Sequence, residues 1–460
     1  MKFRYLSTLL LGGLACLGGV HAQAESVHRQ RVEPGLPGVS ALAFGEVLSG
    51  PAQAERFGQS LREVFRRSVQ AAVASSAQLK RHHAEHLAAR SDIEEAKGQR
   101  WPQIDVSSRS PTYRYGAGSD IDDASTPGLT LNVRTPVFNW GGTGYTVASR
   151  TVLANAASAG VRAQRESLAH EVLAALVELG KQRLVIDLSQ QFERRMDELV
   201  SMLAGIAAAD PGRASELTQA RARLLQAQSA LDSARAQADT AQLQLRKLIG
   251  DSPLRLPDTP AWNLHPGNLQ ALLAHVADHP GIQRAQSNAE ASRLQARAAR
   301  AAGLPRLDWD ISKSTGKDLL GRDQPLQTAL VMSWGVGRGG ASNASQQAWL
   351  YRADAGLEEA EQLRMDLEFG VRSAHQMALS SLARANLYGE LVGETGRIRE
   401  AFFEQWYHLG KRTLLDVLGA ESDHYANQVN EVASRFEGYQ SVVRQYAAAG
   451  VLLEWLQMDI

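Results

Sequence analysis

The sequence predicts a mainly α-helical fold with a membrane β-barrel portion, built as a duplicated repeat of long helices and short strand pairs. Three observations carry this. Two segments match when the chain is slid along itself by about two hundred residues. Two proline-free amphipathic runs are far longer than ordinary globular helices. Four short alternating stretches, flanked by turn residues and aromatics, read as strands.

The duplication is read from paired segments. Arg100-Trp101-Pro102-Gln103-Ile104-Asp105-Val106 corresponds to Gly303-Leu304-Pro305-Arg306-Leu307-Asp308-Trp309. Arg134-Thr135-Pro136-Val137-Phe138-Asn139-Trp140-Gly141-Gly142 corresponds to Met332-Ser333-Trp334-Gly335-Val336-Gly337-Arg338-Gly339-Gly340. Each half thus runs helix, Pro, strand, polar loop, strand, Gly-Gly, long helix, break, helix. The first repeat is assigned to residues 53–255 and the second to 256–460.

Ahead of the repeats, Lys2 and Arg4 precede an apolar stretch from about Leu6 to Val20 and then Ala22-Gln23-Ala24. This is the layout of a secretory signal, expected over residues 1–24 with cleavage after Ala24. Cys16 is the single cysteine and would leave with that signal, so neither a disulfide nor a thiolate metal site is expected. Gly13 occupies the place where a lipobox wants Leu, which disfavours lipidation. Residues 25–52, with Pro34, Pro37 and Pro51, read as an irregular lead-in.

The long runs extend from about Thr143 to Ala204 and from about Ala341 to Tyr407. They are rich in Ala, Gln, Arg, Glu and Leu, all good helix formers. In the first, Val161, Leu168, Val172, Leu176, Leu179 and Ile186 keep one apolar face. At 1.5 Å per residue it would reach roughly 90 Å, which implies rods packed as coiled coils.

The strands are expected over about Gln103 to Ser110, Leu129 to Val137, Leu307 to Lys313 and Gln327 to Trp334. Leu129, Leu131 and Val133 alternate with Thr130, Asn132 and Arg134, giving one apolar and one wet face. Trp101, Tyr113, Tyr115, Phe138, Trp140, Trp309 and Trp334 cluster at the strand ends, as aromatic belts do at membrane interfaces. No stretch beyond the signal has about 18 consecutive apolar residues, so no membrane-spanning helix is expected. Four strands are too few for a barrel, which needs about eight before its interior fills, so several copies must pool theirs.

The second long run is broken at His408-Leu409-Gly410-Lys411 and restarts with Asp416 lodged among Leu414, Leu415, Val417 and Leu418. This stretch, with Tyr407, Arg412, Thr413 and Tyr425, the duplicated strand pairs and the Pro-Val-Phe-Asn-Trp-Gly-Gly turn, resembles the TolC family of outer-membrane efflux and secretion channels from about Gln53 to Leu456. The resemblance implies a homotrimer whose twelve strands form one barrel in outer-membrane lipid. Twelve helical rods would continue into the periplasm as a tunnel.

It further implies that the break is a hairpin at the periplasmic tip, matched in the first half by Ala209-Asp210-Pro211-Gly212. Tyr407, Arg412 and Asp416, with Glu216 from the first half, would form the periplasmic gate. Asp210, Pro211, Gly212 and Arg213, together with His408, Leu409, Gly410 and Lys411, would dock a periplasmic adaptor (membrane fusion protein) and an inner-membrane ABC transporter or other pump. The family's second acid is replaced here by Gly419, with Glu421 nearby. Cargo would be a large secreted adhesin, as the Trp334-centred turn and moderate loops suggest, or alternatively small toxic molecules. A bland reading makes Arg412 and Asp416 an ordinary i,i+4 helix pair.

Other motifs carry less. His82-His83-Ala84-Glu85-His86 fits H-x-x-E-H, but a zinc protease also needs a third ligand and a cleft in a compact domain. Gly335-Val336-Gly337-Arg338-Gly339-Gly340 fits G-x-G-x-x-G, but a roughly sixty-residue helix follows where a dinucleotide fold needs a short helix and a parallel strand. The Arg-rich stretch Arg293 to Arg306 reads as a solvated helix face. With 49 basic and 49 acidic residues, a nucleic-acid partner is not expected. No catalytic set and no cofactor are expected, so the chain reads as no enzyme. A pore-less periplasmic coiled-coil adaptor is the rival class, but adaptors carry one helical hairpin rather than two strand-pair cassettes.

Overall fold

In the computed structural model the described residues are 51–109, 128–251, 256–317 and 322–458, with side chains described from Leu61 onward except at Arg109. The signal region, Cys16, most of the lead-in, Tyr113 and Tyr115 lie outside them.

Helices α1 (Pro51–Ser75) and α2 (Ala77–Gly98) lead into strands β1 (Gln103–Arg109) and β2 (Gly128–Phe138). Helix α3 (Gly142–Ala209) follows, then a single 3-10 turn (Pro211–Arg213) and α4 (Ala214–Ile249). The second half repeats the order with α5 (Leu269–Val276), α6 (Pro280–Ala301), β3 (Arg306–Ser314), β4 (Gln327–Ser333), α7 (Ala341–Tyr407) and α8 (Leu414–Ala449), and ends in α9 (Leu452–Trp455). Helix α1 starts at Pro51, so the end of the expected irregular lead-in is helical. The helical arm before each strand pair is also two helices rather than one. In the first half the break falls at Ser76, whose hydroxyl accepts the Leu79 amide and opens a new helix.

The two long helices have 68 and 67 residues, about 100 Å each at helical rise. Helix α3 buries Val161, Leu168, Val172, Leu176 and Leu179. Where α7 meets α6 and α8 its buried positions are mostly small: Ala353, Ala360, Ala374, Ala378 and Ala385. Small side chains let neighbouring helix axes approach closely. Among the described residues no helix is long and apolar enough to cross a membrane.

The strands form one antiparallel sheet in the order β1-β2-β3-β4. Register fixes its faces, because directly opposed residues point the same way. Val133 opposes both Ile104 and Ile311, Leu131 opposes Val106, and Leu330 opposes Trp309, so one face is apolar except at Lys313, which opposes Leu131 and turns its ammonium to the Gln324 carbonyl. The other carries Asp105, Asn132, Arg134, Asp310 and Ser312. A bulge between Pro136 and Phe138 turns Phe138 onto the apolar side opposite Leu307.

Both strand-to-helix junctions use two consecutive left-handed residues, Trp140 (φ 56°) and Gly141 (φ 77°) in the first half and Gly339 (φ 56°) and Gly340 (φ 80°) in the second. Tryptophan is costly in that conformation. The Trp140 Nε1 donates to the Pro305 carbonyl at 2.7 Å, and its ring meets Phe138 edge-on at 5.0 Å, holding it there.

The main core lies midway along the helices and is centred on Trp262, fully buried in the segment that joins the two halves. Its ring meets Phe436 at 4.9 Å and Phe65 at 6.0 Å and lies parallel to Tyr439. Gly180 of α3 makes room for it: a Cβ there would stand 2.4 Å from the indole. Beside this core the buried Glu166 carboxylate accepts the amides of Leu452 and Leu453 at 3.1 and 3.3 Å, tying the chain's last turn to α3.

Candidate functional site at the helical hairpin tips

Each hairpin is closed by local chemistry. In the first, the Asp210 Oδ1 accepts the Gly212 amide at 3.0 Å and Pro211 starts the 3-10 turn. Glu216 lies in the first turn of α4, 3.9 Å from Arg213. In the second, Gly410 takes φ 62° and lets the chain reverse.

Thr413 and Asp416 then form a capping box. The Asp416 carboxylate accepts the Thr413 amide at 3.1 Å and the Thr413 hydroxyl at 2.9 Å, while the Thr413 oxygen accepts the Asp416 amide at 3.3 Å. The Thr413 amide, its hydroxyl and the nearby Arg412 charge hold the Asp416 carboxyl below its ordinary range. The acid among leucines is therefore the third residue of a helix start. Leu414, Val417 and Leu418 turn inward from it and Leu415 stays exposed.

Arg412 is engaged elsewhere. Its guanidinium lies 4.1 Å over the Phe402 ring and its Nε donates to Gln405 Oε1 at 3.2 Å. The i,i+4 ion pair that the spacing suggests is absent among the described residues; Asp416 turns to the backbone it caps instead. Tyr407 stacks on Phe403 at 5.7 Å, meets His408 edge-on at 4.8 Å and is half exposed. Leu409 is also exposed. Tyr407, His408, Leu409, Gly410, Lys411 and Arg412 thus share one tip, and Asp210, Pro211, Gly212 and Arg213 the other.

The two tips are joined within one subunit by an apolar cluster of Met196, Leu199, Leu203, Trp406, Leu414 and Leu418. Just behind it, Glu421, 2 % exposed, accepts from Arg195 Nε at 2.7 Å and has Arg399 Nη1 at 3.8 Å. Arg195 also lies 4.8 Å over the Phe403 ring. Tyr425 shares a hydrogen bond with Ser189 at 2.8 Å and stacks on Phe192 at 4.5 Å. Sequence reasoning missed Arg195 and Arg399 as partners of Glu421. The available signal was that Leu414, Leu418, Glu421 and Tyr425 follow helical spacing along one face, placing an acid on a buried stripe.

The aromatics Trp101, Phe138, Trp140, Trp309 and Trp334 are all exposed; Trp101, Phe138, Trp140 and Trp334 lie at the helix-proximal end of the sheet, whereas Trp309 sits further in, opposite Leu330 at the middle of β4. Two of them bind the backbone that leads into β3: Trp140, from the first strand pair, to Pro305, and Trp334, just after β4 of the same pair as β3, to Gly303 at 3.3 Å. The H-x-x-E-H string lies on α2, where His82 Nδ1 stands 3.0 Å from Glu85. Among the described residues no group of three or more His, Cys, Asp or Glu is placed to hold a metal ion. Gly335–Gly340 forms the bend from β4 into α7, which is far longer than a dinucleotide-binding helix.

Comparison with known proteins agrees with this architecture. Residues 68–251 match the family model described as outer membrane efflux protein. The chain is 26% identical over 428 residues to the outer membrane efflux protein BepC of Brucella suis, covering 90% of this chain and 88% of that one. Its fold superposes on the outer membrane protein VceC of Vibrio cholerae with a TM-score of 0.71 at 18% identity, covering 87% of this chain and 98% of that one. The Campylobacter jejuni CmeC outer membrane channel gives a TM-score of 0.73 at 15% identity, covering 85% and 86%. Residues 68–251 thus carry the sequence pattern of the outer membrane efflux proteins, and the duplicated hairpins and strand pairs give the chain the fold of these outer-membrane channels.

Proposed function

We propose that three copies of this chain close one twelve-stranded barrel and a periplasmic helical tunnel, forming the passive exit duct of a tripartite export system. The observation that carries this reading is the sheet itself. It has four strands, one apolar face, and two outer strands, β1 and β4, each paired on one side only among the described residues. A lone sheet with such edges and such a face is unstable in lipid, where every backbone polar group needs a partner. Copies joined β4 to β1 satisfy both edges at once.

An inner-membrane pump supplies the energy and an adaptor holds it to the tips, around Asp210 to Arg213 and His408 to Lys411. Tyr407, Arg412 and Asp416, with Glu216, narrow the tunnel at rest. Three Asp416 carboxylates brought into one ring repel, and a partner that favours splayed hairpins releases that repulsion. Heat-modifiable trimers in detergent support the assembly, and a water-soluble monomer after osmotic shock refutes it.

The Trp334-centred turn and moderate loops support a large secreted polypeptide, such as an adhesin, as cargo. The name of the Brucella relative, an efflux protein, supports small toxic molecules as the second reading. Deleting the gene and assaying both surface adhesin and drug sensitivity separates them: loss of the adhesin alone supports the first, and drug sensitisation alone the second.

A further inference from the structure

The polar face of the sheet is not uniformly polar. Its charged side chains concentrate in one band near the helix-proximal end. Arg134 of β2 directly opposes Asp310 of β3, and the pair is bidentate, with Nε to Oδ1 at 3.0 Å and Nη2 to Oδ2 at 3.3 Å. Asp105 of β1 opposes Asn132 and so lies diagonal to Arg134 on the same face. Asp308 and Arg306 share that face two and four residues below Asp310 and form a pair at 3.3 Å. The band therefore holds three carboxylates against two guanidiniums, one negative charge in excess per subunit. Beyond it the face carries Ser107, Thr130, Ser312 and Gln327, all uncharged.

In lipid the face bearing Ile104, Val106, Leu131 and Leu330 turns outward, so the charged band turns toward the lumen. We propose that Asp105, Arg134, Asp308 and Asp310, with Arg306, form a charge-selective collar at the barrel floor that favours passage of cations over anions, separately from the tip. The inference rests on the channel reading above. The ion pairs order the band: each arginine is held by an aspartate on its own sheet, so the excess carboxylate of each subunit acts on whatever crosses the plane. The collar and the tip are separated by nearly the whole of α3, about 100 Å, well beyond the screening length in physiological salt.

The test uses the full-length channel in planar bilayers under a salt gradient, with the reversal potential as readout. Asp105→Asn leaves the Arg134–Asp310 pair intact and is expected to lower the cation-to-anion permeability ratio about twofold; Asp105→Lys is expected to lower it further. Folding is controlled by making Asp105→Cys and Val106→Cys and treating the assembled channels with a cationic, water-soluble methanethiosulfonate. The residue-105 variant is expected to react and shift the reversal potential toward anions, and the residue-106 variant, on the lipid face, not to react.

Reaction at residue 106 but not at 105 overturns the orientation. A conducting channel whose selectivity is the same in wild type, Asp105→Asn and Asp105→Lys overturns the collar and leaves the channel reading standing. A wild-type protein that never conducts overturns both.

Discussion

The buried Glu421 carboxylate and the Arg195 guanidinium, 2.7 Å apart, join α8 to α3 one helical turn behind the Leu414–Leu418 cluster. With Arg399 reaching the same carboxylate, three long helices meet on one acid. In the gating proposed above, the α7–α8 hairpin moves against α3, and this junction would anchor or release that motion.

Replacing Glu421 by Gln strands two guanidiniums around a neutral amide. Removing one partner of a buried pair typically costs about 3 kcal/mol. The expected outcome is an earlier thermal dissociation of the trimer and a higher single-channel conductance. Arg195→Lys should give a smaller change in the same direction, because it keeps the charge and loses the guanidinium's planar stacking on Phe403. Unchanged conductance in both variants removes the junction from the gating movement.

Asp416 and Arg412 are expected to act on conductance by different routes, since they do not pair with each other. Asp416→Ala removes the carboxylate half of the capping box and frays the start of α8, whereas Asp416→Asn retains part of the cap. Arg412→Ala removes the cover over Phe402. Single-channel recordings should therefore show near-additive effects in the double variant. Strong non-additivity would restore the i,i+4 ion pair.

The shifted Asp416 carboxyl sets a pH window. Its folded-state pKa is depressed, so its contribution to the cap is present above the ordinary aspartate value near 3.8 and disappears only as pH falls through the lower folded value. Gate conductance between pH 5 and 8 is expected to show no step removed by Asp416→Asn.

Glu166 behaves in the opposite sense. Burial pushes its carboxyl up from 4.5 to about 7, against the two amides that favour the charged form. Between those values the native state binds more protons than the unfolded chain, so this contribution is full below about pH 4.5 and lost as pH rises through 7. The span is on the order of 3 kcal/mol. Wild type is expected to resist thermal dissociation better at pH 5 than at pH 8, and Glu166→Gln to flatten that difference.

Two glycines of α3 should respond oppositely to alanine. At Gly180 the new Cβ would meet Trp262 at 2.4 Å, and overpacking of this kind costs about 1–3 kcal/mol. At Gly160 the nearest atom is the Cδ of Arg284 at 3.6 Å, ordinary contact, so Gly160→Ala should stabilise the helix by about 0.5–1 kcal/mol. Chemical denaturation of both variants checks the pair.

The large features were legible because strong local signals mark them. Helix α7 runs from Ala341 to Tyr407, the bounds its flanking Gly-Gly and His-Leu-Gly punctuation suggests. Strand faces follow from alternation alone. The break at Ser76 was invisible because no Gly or Pro accompanies it; a serine cap in an Ala-rich stretch looks like continuing helix. At the tip, the spacing of Arg412 and Asp416 suggests a pair, but Thr413-Leu414-Leu415-Asp416 also spells a capping box, and the backbone amide is the nearer partner. The Arg195–Glu421 junction joins residues 226 positions apart, beyond any local pattern.

The near-equality of the two arms constrains how this protein can change. Helices α3 and α7 have 68 and 67 residues, and α4 and α8 have 36 each. A seven-residue insertion in one descending helix alone would displace its bend by about 10 Å along the axis and leave its companion short. Lineages that lengthen or shorten this conduit must therefore edit four helices in concert, so that reach across the periplasm is inherited as one coupled trait.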